Sequence, residues 1–142
     1  MRIGIFAAAV AAAILAAGSA GAEVLHFTAR LDGASETPPN DSAGKGSASV
    51  SLDTASKTLS WTVAYSGLSG PATMAHFHGP APVGKAAGVA VPLRGDLASP
   101  IAGAATLTDP QIADLEAGLW YVNIHSAAHP GGEIRGQVTP VK

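Results

Sequence analysis

The 142-residue chain contains no cysteine. This absence excludes disulfide bonds, thiolate ligands for a metal ion, cysteine nucleophiles and redox-active cysteine pairs. The stability of the folded chain must therefore come from a packed core, to which a bound metal ion can add.

Charged residues are also scarce, at 13% of the chain. Ten acidic residues slightly outnumber eight basic ones, which gives a formal net charge of −2, and the acidic residues are scattered. Nucleic acids and anionic lipids attract proteins through a concentrated positive charge, which this chain lacks. We therefore predict no nucleic-acid partner.

Long apolar runs are limited to one, near the amino terminus. Arg2 precedes the apolar run Ile3–Ala17, and small residues then continue to Ala22. A basic start, a short apolar run and a small-residue cleavage site are typical of a secretory signal peptide rather than a membrane span. We predict that residues 1–22 are a signal peptide. Residues 23–142 would then form one mature domain, periplasmic or secreted, with no membrane span.

Polar and apolar residues alternate along most of the remaining sequence, and this alternation predicts short β-strands. The clearest case places Leu59, Trp61 and Val63 on one face of a strand. Further strands are predicted in Val24–Leu31, Ser47–Asp53, Thr73–His78, Gly88–Leu93, Leu119–His125 and Gly132–Val138.

One segment departs from this alternation and predicts a short helix. Thr108 can cap the helix, Pro110 suits its first turn and Gly118 can end it. Many short strands, turns rich in glycine and proline, and one helix predict an all-β fold. We expect a Greek-key or immunoglobulin-like β-sandwich.

The motif His76-Phe77-His78 places two imidazoles two residues apart. Alternate residues of a strand share a face, so the histidines lie on one side and Phe77 on the other. Ala75 and Phe77 suit the core, which turns both histidines to the outer face. Their separation along the strand, roughly 6.5–7 Å, lets both rings lean toward one ion.

His125 has the same phase in a later strand. Val122 and Ile124 form the apolar set of that strand, so His125 faces outward. If this strand lies near the one that holds His76 and His78, the three rings can converge. Neutral imidazoles suit copper and zinc, so the three histidines are a predicted metal site, with copper favoured and zinc the alternative. Polar histidines that bind nothing are the competing interpretation.

Three neighbouring residues have candidate roles around this site. His129, in a Pro-Gly-Gly turn, is an additional candidate ligand, and a role as a turn-surface residue is its alternative. Glu133 and Arg135 share one strand face, where Glu133 can act from the second shell by orienting a ligating histidine. The two can instead pair with each other or anchor the loop that follows His78.

Three segments, ARLDGASETPP, AHFHGPA and YVNIHSAAHPGGEIRGQ, occur in this order. On these segments the chain resembles the CHRD domain, named from chordin and found also in exported bacterial proteins, over nearly the whole mature region. The resemblance implies an immunoglobulin-like or related β-sandwich and no settled biochemical activity. The family positions it implies are His76, His78, His125, Glu133 and Arg135. His129 falls where the family varies.

A weaker likeness is to Cu,Zn superoxide dismutase. That family also places a His-x-His pair on an outer strand face and takes another copper histidine from a late strand, as with His76, His78 and His125. This chain lacks the disulfide cysteines of that family and its zinc loop rich in histidine and aspartate. The likeness therefore implies a copper-type site and not dismutase activity.

Three functions remain compatible with these features. The first is an exported protein that binds a transition metal. The second is a metal-free module that binds another protein or an envelope component through the loop HGPAPVGKAAG. The third, and least favoured, is a copper-dependent redox enzyme. Hydrolysis is not predicted, because the sequence shows no nucleophile elbow and no carboxylate pair placed for acid–base chemistry.

Overall fold

A computed structural model describes residues 21–142 of the chain. The predicted signal peptide, residues 1–22, lies outside the described residues except for its last two positions. Within residues 21–142, no helix combines the length and the apolar character needed to cross a membrane.

Eight strands and one helix make up the described chain. The strands are β1 (Val24–Asp32), β2 (Lys45–Asp53), β3 (Thr58–Ser66), β4 (Ala72–His78), β5 (Val89–Pro92), β6 (Ile101–Thr106), β7 (Trp120–Ser126) and β8 (Ile134–Pro140). The helix is α1 (Asp109–Glu116). The prediction of an all-β fold with one short helix is confirmed.

The eight strands belong to one antiparallel sheet, in the order β5-β4-β7-β8-β1-β2-β3-β6. The sandwich expectation is met in an altered form, because the sheet is continuous and nearly closes on itself. Strands β1 and β8 pair only at Phe27, Thr28 and Asp32 of β1, so the ladder between the two four-stranded halves is interrupted. The sheet can bend at this point and bring its halves face to face.

Aromatic side chains join the two halves inside the core. The ring centroids of Trp61, on β3, and Phe77, on β4, lie 5.4 Å apart in an edge-to-face arrangement. Phe77 also packs against Trp120 at 5.9 Å. These buried rings fix the phase of β4 and β7, because the alternate residues of those strands must then point away from the core.

The helix begins as the sequence predicts. The Thr108 hydroxyl accepts the backbone N–H of Gln111, and the Gln111 side chain accepts the backbone N–H of Thr108. This reciprocal capping box satisfies two donors that the first turn leaves free. Gly118 follows the helix with a φ of +74°, a left-handed conformation that glycine adopts without strain.

The register of β4 and β7 positions the histidines. His76 lies opposite Asn123, His78 opposite Tyr121 and Met74 opposite His125. The two strands that carry the predicted metal ligands are therefore direct neighbours in the sheet. This adjacency is the condition that the sequence alone left open.

Candidate metal centre

Three histidines converge on the outer face of β4 and β7. One ring nitrogen from each of His76, His78 and His125 lies within 4.8 Å of the other two. The tightest of the ring contacts joins His76 Nδ1 to His125 Nε2 at 3.2 Å. His76 and His125 are diagonal neighbours on adjacent strands, because His76 lies opposite Asn123, two residues before His125.

Backbone carbonyls hold two of the rings in one tautomer. His78 Nδ1 lies 3.0 Å from the Ala87 carbonyl oxygen, and His125 Nδ1 lies 2.9 Å from that of Pro130. A carbonyl oxygen only accepts a hydrogen bond, so each Nδ1 must carry the hydrogen. In a neutral ring, Nε2 is then left with a free lone pair, which is the form that binds a metal ion.

Asn123 stands between these two lone pairs. Its Oδ1 lies 2.9 Å from His78 Nε2 and 3.1 Å from His125 Nε2. Asn123 and His125 are two residues apart on β7 and share its outer face. Asn123 has the same parity as His125 in the sequence, so parity was the signal that could have pointed to it.

Burial favours the neutral form of His76 and His78. His78 and His125 are buried and His76 is partly exposed, so the site opens to solvent beside His76. Burial lowers the pKa of His76, and the neighbouring His125 and His78 lower it further. Burial also lowers the pKa of His78, although its hydrogen bonds to Ala87 and Asn123 oppose the decrease. Unprotonated imidazoles are the ones that bind metal ions.

His129 closes the turn between β7 and β8. Its backbone N–H donates to Ser126, and its carbonyl accepts the backbone N–H of Gly132. The described residues that converge in the cluster are His76, His78 and His125, and His129 is not among them. Its contribution to the site is to hold the turn that presents the Pro130 carbonyl to His125.

Glu133, which the sequence predicts to share a strand face with Arg135, is fully buried just before β8. Its carboxylate accepts hydrogen bonds from the hydroxyls of Ser42 (2.7 Å) and Ser126 and from the backbone N–H of Ser69 (2.9 Å). Burial raises its pKa, but these hydrogen bonds outweigh burial and hold the pKa below its ordinary value. None of these contacts is to a histidine or to Arg135, so Glu133 reaches the cluster only through Ser126, the residue after His125.

Arg135 points toward the loop after β4. Its guanidinium donates to the Lys85 carbonyl at 2.6 Å and to the Thr37 hydroxyl at 3.1 Å. Its Cζ also lies 3.5 Å from the centre of the Tyr121 ring, a cation–π contact. The arginine therefore anchors the loop that carries Lys85 to the sheet. None of these Arg135 contacts is to Glu133.

Tyr121 lies between Arg135 and the histidine cluster and contacts both. Its ring stacks on the His78 ring at a centroid distance of 4.8 Å and an angle of 5°. Its hydroxyl accepts the backbone N–H of Ala87, the residue whose carbonyl binds His78. Arg135, Tyr121 and His78 thus form three stacked layers that restrict the histidine ring.

The family comparison covers this entire site. A model of the CHRD domain matches residues 27–138. This chain belongs to the CHRD-domain family. Comparisons with curated proteins and with solved structures gave no match.

The matched part of the CHRD domain includes the three histidines, Asn123 and a further buried acid, Glu36. Glu36 is 5% exposed and lies in the loop between β1 and β2. In the sequence, Glu36 stands in the segment ARLDGASETPP, which carries the resemblance to the CHRD domain, but no role in the site was assigned to it. Hydrophobic periodicity carries no information about such a segment, so the approach of Glu36 to the site could be found only from the fold.

Proposed function

We propose that this CHRD-domain protein binds one transition metal ion through His76, His78 and His125, with copper preferred to zinc. The observation that supports the proposal most is the pair of backbone carbonyls that hold His78 and His125 with Nδ1 protonated. Both Nε2 lone pairs then face the same point, where His76 also offers a ring nitrogen. Structural histidines would not need this alignment.

The donor chemistry favours copper. The cluster is built from nitrogen donors, and divalent copper forms the most stable complexes with such donors among the first-row metals. Met74 lies opposite His125 in the neighbouring strand and is 46% exposed. A thioether is a soft donor that selects Cu(I) rather than zinc. Three imidazoles with a neighbouring methionine therefore suit copper in either oxidation state.

The same proposal places the protein outside the cytoplasm. The sequence of residues 1–22 supports export, because it has the basic start, apolar run and small-residue end of a signal peptide. Amino-terminal sequencing of the protein recovered from the periplasm or the medium tests this part. We expect the recovered chain to begin at Glu23, and a chain that keeps Met1 inside the cell would contradict export.

Metal titration by calorimetry tests the binding proposal. We expect the purified protein to bind one Cu(II) ion, and His76→Ala and His125→Ala to lower the affinity by more than about 100-fold, beyond the usual effect of an outer-shell change. His26 is an exposed histidine outside the cluster, so His26→Ala is the matched control and should bind like the parent protein. Binding no tighter than about millimolar for both copper and zinc would contradict the proposal.

A further inference from the structure

We propose that Asn123 is a fourth ligand of this metal ion, bound through Oδ1, and that the buried carboxylate of Glu36 orients its side-chain amide. This inference rests on the proposed function. It adds an oxygen donor to the three imidazoles and assigns a role to a buried acid that the histidine site leaves unexplained.

Three hydrogen-bond acceptors lie close together in the site: Oδ1 of Asn123 and the Nε2 atoms of His78 and His125. In the neutral rings of His78 and His125, Nε2 is unprotonated, because Nδ1 carries the hydrogen and donates it to a carbonyl oxygen. Asn123 Oδ1, which is also only an acceptor, lies within 3.1 Å of both. Lone pairs at this distance repel one another unless a cation lies between them. A metal ion would replace these two repulsive contacts with three coordinate bonds, one to each of the three atoms.

The neighbour of the Asn123 amide on the side away from the histidines determines whether Oδ1 or Nδ2 faces them. Glu36 Oε1 and Asn123 Nδ2 both border Gly132, because a Cβ built on that glycine would lie 2.5 Å from the first atom and 2.8 Å from the second. A carboxylate attracts an amide N–H and repels an amide oxygen. Glu36 therefore favours Nδ2 on its own side and Oδ1 on the side of the histidines.

Glu36 is buried next to the site and is not a surface acid. It is 5% exposed, and its Oε1 makes no hydrogen bond of normal geometry. A small rotation of the Asn123 amide toward Oε1, as its Oδ1 binds an ion, would give this orphaned oxygen a donor.

The spacing of the donor atoms fits one coordination sphere. Bonds of about 2.0–2.1 Å with angles between 90° and 109° place neighbouring ligand atoms roughly 2.8–3.4 Å apart. Asn123 Oδ1 lies 2.9 Å from His78 Nε2 and 3.1 Å from His125 Nε2, and His125 Nε2 lies 3.2 Å from His76 Nδ1. Three edges of the polyhedron are thus already at coordination distance. The charge of Glu36 would partly balance a divalent ion held by four neutral ligands.

Cu(II) titration combined with electron paramagnetic resonance tests the inference. We expect Asn123→Leu to weaken Cu(II) binding about 10- to 100-fold and to change the copper hyperfine splitting, because an oxygen ligand would be lost. Asn123→Asp keeps an oxygen at the same position and should retain affinity while shifting the spectrum. Glu36→Gln should weaken binding about tenfold, because its amide no longer selects one orientation of Asn123.

The results separate this inference from the proposed function. If the parent protein fails to bind copper, the proposed function fails, and the inference fails with it. If His125→Ala abolishes binding while Asn123→Leu leaves affinity and spectrum unchanged, the histidine site stands and the fourth ligand is wrong. Should Asn123→Leu not fold in a thermal melt, Asn123→Asp decides, since an unchanged spectrum would overturn the inference and a shifted one would support it.

Discussion

At the scale of single residues, two backbone carbonyls determine what the histidines can do. Ala87 and Pro130 belong to loops, yet their oxygens fix the protonated nitrogen in His78 and His125. Both neutral rings therefore already have the tautomer that binds a metal ion through Nε2 before any ion binds. Pre-set ligands of this kind reduce the ordering cost that a metal must otherwise offset on binding.

Glu133 gives a test of stability against pH at the same scale. Its pKa is held below the ordinary value, so its stabilising contribution is present above the unfolded pKa, near 4.3, and is lost as the pH falls through the folded pKa. We expect Glu133→Gln to lower the free energy of unfolding at neutral pH by roughly 1–3 kcal/mol and to flatten the decline on acidification. Urea unfolding between pH 7 and pH 3 measures both effects.

The control for this experiment is Asp41→Asn, which changes an exposed acid in the loop between β1 and β2. Its unfolding curves should follow those of the parent protein throughout. If Glu133→Gln also keeps the parent's pH dependence, the buried carboxylate is not ionised in the folded protein and the hydrogen-bond account is wrong.

At the scale of secondary-structure elements, the site depends on the register between β4 and β7. Parity within each strand identified the face of His76, His78 and His125 from the sequence, because Phe77 and Ile124 must enter the core. The pairing of β4 with β7 could not be predicted, because the two strands are joined by a long connection and their contact is non-local. The sequence showed which way the rings point, and the fold supplied their neighbours.

Parity did not identify the partners of a residue that lies outside the strand ladder. Glu133 precedes Ile134, the first residue of β8, and its carboxylate turns toward Ser42 and Ser69 of two loops. Arg135 lies within the strand and reaches the loop after β4. A period of two therefore says nothing about a side chain whose partners come from irregular segments.

Replacing Met74 tests the register between β4 and β7, because this register places Met74 near the cluster, where its thioether would affect which metal ion binds. It lies opposite His125 in the ladder, where paired side chains have Cβ atoms about 4.5–5.5 Å apart. We expect Met74→Leu to weaken Cu(I) binding about tenfold, because the soft thioether is lost, and to leave Zn(II) binding unchanged. Competition with a Cu(I) chelator and a zinc titration provide the two measurements. Equal affinities of both proteins for Cu(I) would show that Met74 is not a ligand.

At the scale of the whole molecule, the closeness of β1 and β8 shapes the bend of the sheet. A Cβ at Gly136 would lie 2.0 Å from the Arg30 carbonyl oxygen, a backbone atom that cannot move aside freely. Only glycine therefore allows β8 to approach β1 at this point. The two halves of the sheet, and with them the aromatic core that orients β4 and β7, depend on this contact.

Gly136→Ala should consequently destabilise the fold. We expect a loss of roughly 1–3 kcal/mol, because the added methyl forces the two strands apart. Such a loss lowers the melting temperature by several degrees in a domain of this size. Gly131→Ala is the matched control, since a Cβ there meets nothing within 4 Å. Equal melting temperatures for the two variants in a calorimetric scan would contradict the packing account.

The central claim is that three imidazoles of one sheet face bind the same metal ion. X-ray absorption spectroscopy of the protein loaded with one copper ion tests it most directly, because outer-ring scattering counts coordinated imidazoles. The account predicts three imidazoles, one from each of His76, His78 and His125, and fewer in each His→Ala variant. A copper-loaded protein whose spectrum fits fewer than three imidazoles would contradict it.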